Sequence, residues 1–194
     1  MSRPDSAPRR ARADASRNRD RILEAARNLF AERGSQVQLP EVARAAGVGI
    51  GTVYRHFPAQ SDLIEAAAEQ RFAEIESFAR TECLRAAPGH AVRTYLTHVG
   101  ELLATDRGLS AAIESSRRTA TSEPRGDTLA RLADALALLI ESDRAAGALR
   151  SDLTPADVYL LVGALSAAIR TGSGDWRRLL ELTLTGIQTP TRLE

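Results

Sequence analysis

Lysine is absent from this 194-residue chain, so all 26 of its basic residues are arginine. Cysteine occurs once, at Cys83, which excludes an intrachain disulfide framework and any zinc site built from several thiolates. Aromatic residues make up only 4% of the chain, and alanine, leucine and arginine dominate, a composition of helix formers. No apolar run approaches the roughly 18 residues of a membrane span, and no apolar h-region follows the arginine-rich start, so neither a spanning helix nor a secretory signal is expected. A reducing cytoplasm is the expected compartment. The three histidines, His56, His90 and His98, have no metal-ligand spacing, and neither a nucleophile–base pair nor a phosphate-binding loop is visible. No catalysis, metal or cofactor is therefore expected.

What is present is a sizeable apolar fraction, 43%, and an uneven charge. The 26 arginines nearly balance 25 acids, yet residues 1–57 carry a net +5 and residues 58–194 a net −4. A basic front on an acidic body points to a polyanion as the partner of the first third.

The apolar pattern is helical throughout, with no alternation typical of strands, and predicts an all-α fold of about nine helices. Residues 1–15 lack apolar periodicity and hold two prolines, and are expected to be a disordered basic arm. A first helix carries Ile22, Ala26, Leu29 and Phe30 on one face and stops at Gly34. Two short helices follow, Leu39 to Ala46 and Ile50 to Phe57, separated by Gly47-Val48-Gly49. A longer helix is expected from Ser61 and Asp62 to about Arg85, and another from Val92 until Gly108 ends it. The stripe from Leu129 to Ile140 predicts a further helix. Thr154-Pro155-Ala156-Asp157 is a strong helix start, with a capping hydroxyl, proline at the first position and an acid at the third. The last helix starts at Asp175.

A helix, a short helix, a glycine turn and a second short helix within residues 17–57 describe a helix-turn-helix. The outer side of its second helix shows small groups and hydrogen-bond donors, which suit approach to phosphates and base edges. The run VARAAGVGIGTVYRHFPAQSDLI, Val42 to Ile64, with RILEAARNLFAERG from Arg21 to Gly34, resembles the N-terminal signature of tetracycline-repressor (TetR) family transcription regulators.

The resemblance implies that Ile50 to Phe57 is the recognition helix of a DNA-binding unit covering 16–60. It carries Gly49, Ile50, Gly51, Thr52, Tyr54, Arg55 and His56 as contacts: Thr52 and Arg55 towards bases, Tyr54 and His56 towards phosphates. Arg44 is either a groove or phosphate contact or a solvated arginine. Three positions depart from the family pattern. Gln60 replaces a common lysine, Gln38 stands where Ser or Thr often caps, and Gly49-Ile50 replaces a frequent Ser-Lys pair. The arginine-rich arm, with Arg9, Arg10 and Arg12, either lies in the minor groove or is a solubilising tail.

For residues 61–194 the resemblance implies a helical unit that binds an effector and dimerises through its last two helices. A helix as apolar all round as 155–170 independently calls for cover on every side. The expected dimer residues are Leu160, Gly163, Ala164, Ala167, Leu179, Leu180 and Leu184. Tyr95, His98, Leu102, Ile113, Leu132, Leu136, Tyr159 and Trp176 are candidates to line an effector site for an apolar or amphipathic molecule, with plain core packing as the alternative for each. Cys83 is expected to be a small buried apolar group, or else a thiol sensor. The functional expectation is a homodimeric repressor that binds a palindromic operator in double-stranded DNA and is released by a small molecule. An enzyme, or a pure protein-interaction module, is the alternative; the first would show turnover and the second no salt-dependent affinity for DNA.

Overall fold

The computed structural model describes residues 7–119 and 121–189, with side chains from Asp14 onward. Among them are nine α-helices and no strand, apart from one isolated antiparallel bridge between Leu149 and Gln188. The chain packs as two compact units, Met1–Ala68 with Gly108–Ala120, and Glu69–Arg107 with Thr121–Glu194. This division differs from the sequence-based boundary at residue 60: the first turns of the fourth helix and the segment from Gly108 pack with the helix-turn-helix.

In the N-terminal unit, α1 (Ala7–Arg33) buries Ile22, Leu23, Ala26 and Phe30 and ends where Gly34 takes a φ of +58°. Residues 7–15 are thus helical rather than disordered, and residues 1–6 of the expected arm lie outside the described residues. Alanine and arginine, with the Asp14–Arg17 pair one turn apart, make this segment a good helix without any apolar face. Helices α2 (Leu39–Ala46) and α3 (Ile50–His56) pack on α1 and on each other. Between them Gly47 adopts a left-handed φ of +62°, and Val48 donates its N–H back to the Ala43 carbonyl at 3.0 Å.

Helix α4 (Gln60–Thr81) starts where the Asp62 carboxylate accepts the Ala59 N–H at 2.8 Å. It is followed by a 3-10 turn, Cys83–Arg85. Helix α5 (Ala91–Thr105) ends at Asp106, so Gly108 does not terminate it but lies in the first turn of α6 (Arg107–Arg117). The reason for glycine there is packing: a Cβ would come within 1.8 Å of the Phe30 carbonyl oxygen of α1. Leu109, Ala112 and Ile113 of α6 are fully buried.

In the C-terminal unit α5 lies against α7 (Gly126–Ala145), α8 (Pro155–Thr171) and α9 (Trp176–Ile187). Its first turn is capped from another helix: buried Asp143 of α7 accepts the N–H groups of Ala91 and Val92 at 2.9 and 2.8 Å. The preceding His90 makes no side-chain cap, so Asp143 satisfies donors that would otherwise be orphaned. The Trp176 indole seats against Gly100, where a Cβ would fall 2.4 Å from the ring. Thr154 and Asp157 form the expected reciprocal cap of α8, with Thr154 N–H donating to the Asp157 carboxylate at 2.8 Å.

Candidate nucleic-acid interface and effector site

Helix α3 is held from behind by apolar packing and from the side by polar ties. Val53 and Phe57 are buried, as is Val42 of α2, while Val48 is half-buried. The Arg19 guanidinium lies over the Phe57 ring, 5.6 Å from its centre, and Arg21 donates to the Gly47 carbonyl at 3.4 Å. Glu41 accepts the Gln38 N–H and an Arg33 N–H, each at 2.9 Å, and these bonds hold its carboxyl below the usual carboxylate range. Gln38, standing where Ser or Thr often caps, thus forms a reciprocal cap of α2 with Glu41.

Gln60 has a positive role in this architecture. Its amide donates to the Ser35 and Val37 carbonyls at 3.1 and 2.7 Å, tying the start of α4 to the loop before α2. Arg19 and Arg21 escaped the sequence reading, as did the structural role of Gln60, because each acts across 20 residues or more and only spacing within one helix is legible in sequence.

The outward side of α3 is what the pattern called for. Ile50, Gly51, Tyr54 and Arg55 are exposed, and Thr52 and His56 half-buried. Arg55 donates from Nε to the Gly51 carbonyl at 3.1 Å, which lays the exposed side chain along its own helix. A Cβ at Gly49 or Gly51 would meet no atom within 4 Å. Glycine inside a helix costs about 1 kcal/mol relative to alanine. At Gly51, in the first turn of α3, no packing within the described residues requires the missing side chain. Arg44, in the last turn of α2, is exposed.

Seven of the eight effector candidates fall in the C-terminal unit. Ile113 does not: it is buried in the N-terminal unit, where α6 packs. Leu132, Leu136 and Trp176 are core residues, and Leu102 is half-buried. Burial drives the Tyr95 phenol above its ordinary range and that of half-buried Tyr159 up to about 12. His98 stacks on Phe78 with ring centres 3.7 Å apart, and desolvation holds its imidazole below the ordinary histidine range despite Glu101. Cys83 is buried, and burial, with Glu82 and Asp143 nearby, pushes its thiol up to about 12; that removes the thiolate a redox sensor needs.

The expected dimer residues divide as well. Leu180 and Leu184 turn into the protomer's own core, so they are not available as an outer face. Leu160 is 72% exposed, Ala164 is exposed, and Gly163, Ala167 and Leu179 are half-buried. Leu182, 55% exposed, belongs with this outer set and was missed because adjacent leucines in α9 made its inward face ambiguous. Among the described residues no helix is long and apolar enough to cross a membrane, and no group of three metal-ligating side chains comes together.

A three-helix head whose second turn helix is exposed, in a chain that also carries a second helical unit, defines the helix-turn-helix class of DNA-binding proteins. Residues 22–67 match the model of bacterial regulatory proteins of the tetR family, and residues 87–189 match that of the SbtR-like transcriptional regulator C-terminal domain. A TetR regulatory protein from Mycobacterium vanbaalenii has a solved structure similar to this one, with TM-score 0.68 and 32% identity over 92% of this chain and 99% of that one. A TetR regulator from Streptomyces coelicolor gives 0.66 and 32%, over 89% and 99%. An HTH-type transcriptional regulator of Staphylococcus aureus strain USA300 is 47% identical over 53 residues, 27% of this chain and 29% of that protein's length. The chain belongs to the TetR family of DNA-binding transcription regulators, which are not enzymes.

Proposed function

We propose that the protein is a homodimeric cytoplasmic repressor that reads a palindromic operator through α3 and releases it when a small apolar or amphipathic molecule occupies the C-terminal unit. The observation that carries the DNA contact is Gly51: a helix-weakening residue with open space beside it, flanked by Thr52, Tyr54 and Arg55 on the outward side. Bare backbone there lets phosphate or base edges come close, Arg55 suits a guanine edge, and Ile50 suits a thymine methyl.

The homodimer is supported by the outer row of α8 and α9. Leu160, Ala164 and Ala167 follow one another at helical spacing, and Leu179 and Leu182 do so on the adjoining helix. An apolar row left in water on a pair of packed helices is the pattern of a two-fold, self-complementary contact. A two-fold protein reads two half-sites about one turn of DNA apart, or more. For the effector, Tyr95, His98 and Tyr159 supply polar tips among Leu102, Leu132 and Leu136. The coupling runs through α4, which contributes residues to both units as one continuous helix. An effector must discriminate between two courses of α4 by about 10⁴-fold to move nearly the whole population.

The test is selection of bound fragments from a genomic DNA pool by the purified protein, followed by sequencing. An enriched palindrome is the expected result, and the genes beside it point to the effector's chemistry. A folded protein, refolded to strip any bound molecule, that enriches no sequence would refute the reading.

A further inference from the structure

The strongest feature that sequence-specific reading does not use is the start of α1. Residues 7–21 hold six arginines against two aspartates, and their apolar members are alanine and one proline. Such a helix has no face to bury against lipid or protein. Its far end is anchored in the reading head, with Arg19 over Phe57 at the end of α3 and Arg21 on the Gly47 carbonyl beside the α2–α3 turn. At about 1.5 Å per residue, α1 extends some 18 Å on the N-terminal side of Arg19 before it begins at Ala7. Positions 9, 12, 16 and 19 share one helical face by their spacing, so Arg9 and Arg12 fall in line with the Arg19 that borders α3. With Asp14 paired to Arg17 and Asp20 counted as well, the segment keeps a net charge of +4.

Resting on the reading of α3 as a DNA-recognition helix, we propose that the start of α1 is a second DNA contact, a helical bar that lies along the phosphate backbone and adds affinity without adding sequence preference. Its helical state decides between backbone and minor groove. An α-helix is about 10–12 Å across, whereas the minor groove is about 6 Å wide and admits extended arms rather than helices. Duplex DNA carries about one charge per 1.7 Å of axis, so 18 Å of arginine-bearing helix meets enough phosphate to engage Arg9, Arg10 and Arg12 together.

The experiment compares the full chain with the triple variant Arg9→Ala, Arg10→Ala, Arg12→Ala, in which alanine preserves the helix. Both are titrated with two probes over a range of salt: the duplex recovered by fragment selection and a random-sequence duplex of equal length. The expected result is a salt slope shallower by about 5 for the variant dimer, about 2 to 3 from each protomer, on both duplexes, with the ratio of specific to random affinity unchanged. Equal slopes with binding retained overturn the proposal and leave α3 as the sole contact. A fall in the specific-to-random ratio, traced to A·T-rich flanks, overturns it in favour of minor-groove reading. Failure of both forms to bind either duplex overturns the proposal together with the DNA-recognition reading beneath it.

Discussion

Arg117 closes on Glu65 through two hydrogen bonds, from Nε at 2.7 Å and from a terminal nitrogen at 2.6 Å, tying the end of α6 to the start of α4. The arginine side chain is 5% exposed and the glutamate 41%, so the pair is sheltered on one side only. A two-pronged pair of this kind fixes orientation as well as distance. In the proposed mechanism, where the course of α4 sets the position of the reading helices, such a clamp would favour one course.

A double-mutant cycle on Glu65→Ala and Arg117→Ala is expected to return a coupling of about 1–2 kcal/mol in denaturant unfolding. The single Arg117→Ala change should also weaken operator binding without altering which sequence is preferred. Strictly additive single effects would show that the pair is a bystander.

Arg55→Ala should cost about 1–3 kcal/mol on the selected operator and relax preference at one base pair per half-site. Its exposed position on α3 means the melting temperature should stay close to that of the unmodified protein. Full affinity with unchanged preference would remove Arg55 from the reading surface.

Gly108→Ala places a methyl group where the Phe30 carbonyl already sits. Backbone cannot swing aside as a side chain can, so a loss of about 1–3 kcal/mol is expected in chemical unfolding. Gly51→Ala is the contrast: it should leave stability equal or slightly higher while impairing operator binding, since its Cβ meets nothing within this chain. Stability losses of similar size at both positions would contradict the distinction drawn between them.

With burial pushing its thiol up to about 12, Cys83 is held as the thiol at pH 8. Ellman's reagent should therefore modify the native protein far more slowly than the unfolded chain, and operator binding should survive mild peroxide. Rapid native-state labelling would reopen a sensing role.

The pH dependence of stability tests the His98–Phe78 stack. The unfolded chain takes up a proton near the ordinary histidine value, about 6.5, and the folded chain at a lower pH because burial disfavours the imidazolium. Unfolding is thus favoured progressively as pH falls through the unfolded value, until it passes the folded one, and above pH 7 the effect vanishes. His98→Gln should flatten the profile between pH 7.5 and 5; a superimposable profile would place the acid sensitivity elsewhere.

By itself the sequence determined the all-α class, the helix-turn-helix and most helix limits. Those features depend on local causes: apolar spacing, the Thr154–Asp157 cap, the left-handed glycines and the prolines that start helices. The outer side of α3 was legible for the same reason, since α3 is one short helix whose buried side, Val53 and Phe57, defines the exposed side by elimination. The tertiary structure decided what depends on partners distant in the chain. Ile113 packs with the reading head rather than with the other effector candidates, Leu180 and Leu184 face inward, and Gly108 serves a close approach to α1 rather than a helix end. It also turned the basic arm into helix from Ala7, where the composition alone suited both coil and helix. Helical periodicity tells that a face is buried but not against which neighbour, and a glycine in sequence does not reveal whether φ or a crossing backbone demands it.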